Sequence, residues 1–194
     1  MTNDTEKDLI VFQGIIHQII QTPKDKNGIK QIYERAVRSP GTRIIITSNK
    51  DSEVKILLNK EFRKEHNAWD FRLPGGKVFN TLKEFNEFTD DINSIAIKAC
   101  EKEAIEETGL VVHNLEFFEL TKCGATIEWD LYYFTVSCEK DQNIAQVGTE
   151  HEEITHHIWV SKTEFLKLVM NKDFKEDRSA PVIIRFFNLS EERM

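Results

Sequence analysis

An α/β fold is what this chain predicts, and three observations carry the prediction. Short runs rich in Ile, Val and aromatic residues recur at 43–47, 54–58, 115–120, 126–136 and 156–160, each of strand length. Between them lies a stretch with helical spacing that ends in Glu106-Glu107-Thr108-Gly109, where a glycine suits a left-handed C-cap. A chain of 194 residues with 40% apolar content can bury one sizeable core.

In order along the chain, residues 1–8 read as a polar, acidic tail without the character of a secretory signal or transit peptide. Residues 10–20 read as one Ile-rich strand, Asn27-Gly28 as a hairpin turn, and residues 29–37 as the returning strand, stopped by Ser39-Pro40-Gly41. We divide the chain there, into a tail and β-hairpin at 1–40 and a main domain at 41–194. The strands at 43–47 and 54–58 follow, and the polar residues 59–68 read as a loop. An aromatic strand, Trp69-Asp70-Phe71-Arg72, runs into Leu73-Pro74-Gly75-Gly76, where glycine lets backbone approach a ligand closely. In residues 77–93, Leu82, Phe85 and Phe88 at spacings of three fit one or two apolar helical turns, read as a flap beside the site or as an exposed loop elaboration. Asn93 or Ser94 is the expected N-cap of the main helix. Beyond the strand at 156–160, Ser161 and Glu164 form a capping box, and residues 180–187 fit a terminal helix packed on the core.

Composition bounds the function. A net charge of -7 argues against a nucleic-acid backbone as the main partner. No apolar run approaches the roughly 20 residues that span a bilayer. Cys100, Cys123 and Cys138 are odd in number and lack CxxC spacing, which points away from disulfides and zinc and towards a reducing cytoplasm. His156 and His157 fall on opposite faces of a strand, so they and His151 read as surface residues.

The helix carries the chemistry. Glu103, Glu106 and Glu107 stand at i, i+3 and i+4, so their carboxylates share one face and repel. A hard divalent cation, Mg²⁺ or Mn²⁺, would turn that repulsion into attraction. Taken alone, the stretch reads first as a solvated acidic face ending in a glycine cap.

Together, Gly76 and the run Lys102-Glu103-Ala104-Ile105-Glu106-Glu107-Thr108-Gly109-Leu110 resemble the signature of the Nudix hydrolases, a loop–helix–loop. Gly76 matches its opening glycine, the three glutamates its metal-binding set, and Gly109-Leu110 its end. The span from Gly76 to Lys102 exceeds the pattern by 12 residues, Lys102 replaces its arginine, and Ser94 falls where its earlier glutamate belongs. In the family that pair shapes the loop, so the departures bear on geometry more than on ligand chemistry.

The resemblance implies an α/β/α sandwich with a mixed sheet, and a metal-dependent hydrolase that cleaves the diphosphate of a nucleoside diphosphate joined to another group. Metal ligands would be Glu103, Glu106, Glu107 and the Gly76 carbonyl. Glu150, Glu152 and Glu153 lie in an acidic loop from which many family members draw a further ligand or base, with Glu152 and Glu153 ranked first. The hairpin, with Arg38 after it, and Phe62-Arg63 resemble the ADP-ribose and nucleotide-sugar branch, in which the hairpin helps to build a dimer. That branch implies substrate contacts at Arg38, Arg63, Phe71, Arg72 and Gly75. It also favours a proline near Thr121-Lys122-Cys123-Gly124, and none occurs there. Two rival readings remain: a Nudix-fold module that only binds a nucleotide, and a prenyl-diphosphate isomerase that would use a cysteine such as Cys123.

Overall fold

The computed structural model describes residues 7–48, 53–138 and 154–192. Nine strands, β1 (Leu9–Gln13), β2 (His17–Lys26), β3 (Ile29–Arg38), β4 (Gly41–Ser48), β5 (Lys55–Arg63), β6 (Ala68–Arg72), β7 (Glu116–Gly124), β8 (Ile127–Cys138) and β9 (Ile154–Ser161), form one mixed sheet among these residues. The helices are α1 (Leu82–Glu87), α2 (Ile92–Thr108), α3 (Lys162–Met170) and α4 (Ala180–Glu191). At the centre β4 runs parallel to β8, a pair buried on both faces, which is why β4 reads as a continuous apolar run.

Alternation along the central strands feeds two cores. Ile44, Ile46, Leu57 and Phe134 pack under α2 with Ala96, Cys100 and Ala104, while Ile45, Ile56, Leu58 and Tyr133 pack under α3 and α4 with Phe165, Val182 and Phe187. The sheet therefore lies between helices on both faces, the α/β/α sandwich expected. Ala96, Cys100 and Ala104 stand four residues apart, so the face that α2 turns to the sheet is made of small side chains.

The N-terminal region corrects the single strand expected at 10–20. β1 and β2 are separate antiparallel strands, and the chain reverses between them, where the Gly14 N–H donates to the His17 carbonyl. Asn27 and Gly28 turn β2 into β3 with φ of 57° and 78°, the type I′ geometry that Asn-Gly favours. β3 then joins the main sheet through a short parallel pairing with β8.

Of residues 59–68, expected as a loop, only 64–67 form a turn. β5 continues to Arg63 and pairs with both β6 and β9, because its polar residues Asn59, Glu61 and Arg63 alternate with residues that face the other side. The extra residues before the main helix are anchored to the core by their apolar side while their polar side is exposed. Thr81 caps α1 in a capping box with Glu84, Leu82 is fully buried with its N–H on the Ile15 carbonyl, and Phe79 contacts the rings of Phe85 and Phe88. The N-cap of α2 is Asp91, not Asn93 or Ser94. Its carboxylate accepts from the N–H groups of both. Gly109 closes α2 at φ 71°, as its position before Leu110 predicts.

Candidate active site

The site is assembled where β4 and β5 separate. They pair only at Thr47–Ile56 and Ser48–Lys55, and beyond that point the chain from Pro74 to Val78 fills the gap. Thr42 N–H donates to the Gly76 carbonyl at 2.9 Å, Ile44 N–H to Pro74 at 2.9 Å, and Val78 N–H to Pro40 at 3.0 Å. These bonds pin the glycine loop to β4 by backbone alone. Ser94 plays no part in that; it sits in the first turn of α2, bonded to Asp91.

Both glycines are required by geometry. Gly75 has φ 148°, and a Cβ on it would run into Thr42 and Arg43 backbone. A Cβ on Gly76 would overlap the Glu103 carboxylate, so the bare backbone is what lets that side chain lie against the loop. Glu107, only 1% exposed, sits one helical turn further on. Its Oε2 accepts from Gly75 N–H at 3.0 Å and from Asn59 Nδ2 at 2.8 Å. A buried carboxylate is costly unless hydrogen-bonded, and these donors supply that. Glu106 points elsewhere, towards Lys102 at 3.2 Å on the partly exposed side of α2.

The loop thus gathers Glu103 and Glu107 and leaves Glu106 outside. Among the described residues no three acidic, histidine or cysteine side chains converge closely enough to hold a metal ion. Glu150, Glu152 and Glu153, as well as His151, lie outside the described residues. The donors present are hard oxygens: two carboxylates and, with its second lone pair, the Gly76 carbonyl. That chemistry fits Mg²⁺ or Mn²⁺.

Several residues at the site carry no recognisable motif. Asn59 is fully buried on β5, and its Oδ1 lies 2.9 Å from Nδ1 of His157 on β9. The surface placement expected for His157 is therefore wrong: the ring is half-buried, and burial followed by the neighbouring His156 lowers its pKa. Arg43, buried next to Thr42, forms a bidentate pair with Glu176, which also holds Arg72 at 2.7 Å and Ser179 at 2.7 Å. Burial works to raise the Glu176 pKa, but the Arg43 charge and hydrogen bonds outweigh it and hold the group at about 2. The sequence hint for Asn59 was a lone amide in the strand Lys-Ile-Leu-Leu-Asn; Glu176 gave none.

A cleft of about 390 Å³ opens beside Pro40, lined by Arg38, Lys122, Trp129 and Asp130 together with Phe85 from α1. Arg38 stacks on Trp129 with its guanidinium 4.2 Å from the ring centroid, and Arg178 covers the same ring at 4.8 Å. The indole Nε1 of Trp129 is buried and has no hydrogen-bond partner among the described residues. The remaining residues expected to meet substrate are occupied within the chain. Arg63 pairs with Glu61 and Glu65, Arg72 with Glu176, and Phe71 lies edge-on to His156. Cys123 is exposed and beside Arg178, far in sequence from the glycine loop.

The model of the NUDIX domain matches residues 37–183, three quarters of the chain. The chain belongs to the Nudix family. No curated protein matches it. A crystal structure described as that of an ADP compounds hydrolase superposes with a TM-score of 0.64 at 15% identity, covering 100% of both chains. At that identity the likeness is one of fold, and it includes the N-terminal strands. The enzyme class expected from the sequence, a Nudix pyrophosphohydrolase, agrees with the family membership. In this Nudix chain the 12 residues beyond the usual spacing of the box contain α1, which closes over the core without displacing Gly76 from Glu103.

Proposed function

We propose that this Nudix protein hydrolyses the diphosphate linkage of a nucleoside diphosphate joined to a second moiety, with ADP-ribose and nucleotide sugars as the substrate class. The observation that carries the proposal is the seating of the Gly75-Gly76 loop on Glu103 and Glu107, next to a cleft whose charged lining is Arg38 and Lys122 with Glu128 and Asp130. The full-length likeness to an ADP compounds hydrolase supports the choice of substrate class.

In this reading Glu103, Glu107 and the Gly76 carbonyl hold Mg²⁺, with Mn²⁺ as a substitute, and Glu106 joins them on rotating away from Lys102. When bound, the cation neutralises diphosphate charge and lowers the pKa of a water. The chain's own residues do the rest. Arg38 and Lys122 offset phosphate charge in the cleft, and Arg63, Phe71, Arg72 and Gly75 complete the substrate contacts, the two arginines on exchanging carboxylate partners within the chain for phosphate. Glu152 or Glu153 takes the proton of the attacking water as general base. The β1–β3 region exposes Leu9, Phe12 and Ile32 on one side of its strands and Ile10 and Ile29 on the other, apolar surface suited to a second copy of the chain in a homodimer. A reducing cytoplasm suits the three free thiols, and no described helix is long and apolar enough to cross a membrane.

The second reading, a module that binds a nucleotide without cleaving it, draws on the outward pairing of Glu106 with Lys102. One experiment separates the two. Phosphate-containing products are measured from ADP-ribose, nucleotide sugars, dinucleotides and nucleoside triphosphates, with and without Mg²⁺, for the wild type and Glu107→Gln. Metal-dependent cleavage that falls at least a hundredfold in Glu107→Gln supports the hydrolase. Ligand-induced thermal stabilisation without cleavage overturns it in favour of the binding module.

A further inference from the structure

Three elements meet at one carboxylate. Glu107 comes from α2, Asn59 from β5 and His157 from β9, and Asn59 and His157 are directly opposed across the antiparallel β5–β9 pair. The order of donors in this chain is forced. A carboxylate only accepts, so Asn59 must turn its NH₂ group to Glu107 and its carbonyl to His157. The carbonyl likewise only accepts, so His157 must carry its proton on Nδ1. That leaves Nε2 as the lone-pair nitrogen, and it is buried with no hydrogen-bond partner among the described residues. Nothing in the motif requires either residue, yet the chain places a fully buried amide and a half-buried ring behind the carboxylate.

Two donors to Glu107 share one of its oxygens. Gly75 N–H and Asn59 Nδ2 converge on Oε2, which fixes the plane of the carboxylate and directs its other oxygen by geometry. A carboxylate held at one oxygen by two donors presents a preset ligand, as partners behind metal ligands do generally.

We infer that His157, acting through Asn59, is a positioning residue that orients the Glu107 carboxylate for a divalent cation. The inference rests on the proposed role of Glu107 as a metal ligand. Loss of the Nδ1 donor frees the Asn59 amide to rotate, which weakens the Asn59 bond that helps to orient Glu107.

The test uses the metal alone. Mn²⁺ binding to the full chain is measured by the paramagnetic signal of free Mn²⁺, for the wild type, His157→Met, His157→Gln and Glu107→Gln. Met and Gln are similar in length, but only Gln can donate to Asn59. His157→Met is expected to raise the Mn²⁺ dissociation constant about tenfold to a hundredfold, with His157→Gln much closer to wild type. Wild-type affinity in His157→Met, with binding lost in Glu107→Gln, overturns the inference and leaves the metal role of Glu107 standing. Undiminished binding in Glu107→Gln overturns that role itself. A measurement on the wild type keeps the inference testable if His157→Met does not fold. Nitrogen-15 spectra of the imidazole are expected to show the Nδ1–H tautomer of His157, and an Nε2–H tautomer overturns the chain of donors.

Discussion

Glu176 and the two glycines are the residues whose energetics are simplest to state. Glu176 is the only described counter-charge within hydrogen-bond reach of the buried Arg43 guanidinium, and it carries Arg72 as well. Removing one partner of a buried pair leaves an uncompensated charge and typically costs about 3–5 kcal/mol. Glu176→Gln should therefore lower the urea midpoint by a corresponding amount. The pH dependence follows from the depressed pKa. The folded value is about 2 against an ordinary 4.5, so the stabilisation is complete above about pH 4.5 and is lost as pH falls from there through 2. Unfolding measured across that window should show a slope in the wild type that is reduced in Glu176→Gln. At Gly75 an alanine would combine a left-handed φ with a backbone collision, so a loss of stability of at least about 1–3 kcal/mol is expected in the same assay. Gly76→Ala meets only a side chain, the Glu103 carboxylate. Its expected signature is different: weaker Mn²⁺ binding and slower turnover, with a melting temperature near that of the wild type.

At the scale of elements, α1 separates a structural role from a functional one. Leu82 is fully buried at its start, whereas Phe85 lines the cleft. Leu82→Ala should destabilise the protein by about 2–5 kcal/mol, as truncation of a buried leucine does, with the Michaelis constant unchanged in the fraction that folds. Phe85→Ala should cost less stability and raise the Michaelis constant for the nucleotide substrate. Equal effects of both changes on the Michaelis constant would place the substrate elsewhere. The pattern of α2 was legible in sequence because Glu103 and Glu107 sit one turn apart and Gly109 ends the helix. Its start was misjudged by two or three residues, since Asp91, Asn93 and Ser94 are all good caps and only the fold selects among them. β5 was cut short for a related reason. Asn59, Glu61 and Arg63 look like loop residues until β6 and β9 supply partners for the strand.

For the whole molecule, the N-terminal strands are the elements that bear on assembly. The apolar face of β1–β3 that carries Phe12 and Ile32 is expected to be covered by a second copy, so Phe12→Lys with Ile32→Lys should shift the sedimenting species from dimer to monomer; a wild-type monomer at micromolar concentration would refute the assembly. Some of this protein was determined by the sequence alone. The strand-length apolar runs set the α/β class, because burial of a sheet requires them, and the glutamate spacing with Gly76 pointed to the family, because that spacing places carboxylates on one helical face. Other features were decided only by the tertiary structure. Glu106 turns away because α2 rotates it towards Lys102, while Glu103 and Glu107 face the loop. Arg72, expected at the substrate, is drawn to Glu176 from a segment 104 positions away. Asn59 and His157, separated by 98 positions, meet because β5 and β9 pair in register. Local patterning encodes which face of an element is buried, but the partners it meets across the sheet depend on how distant segments pack.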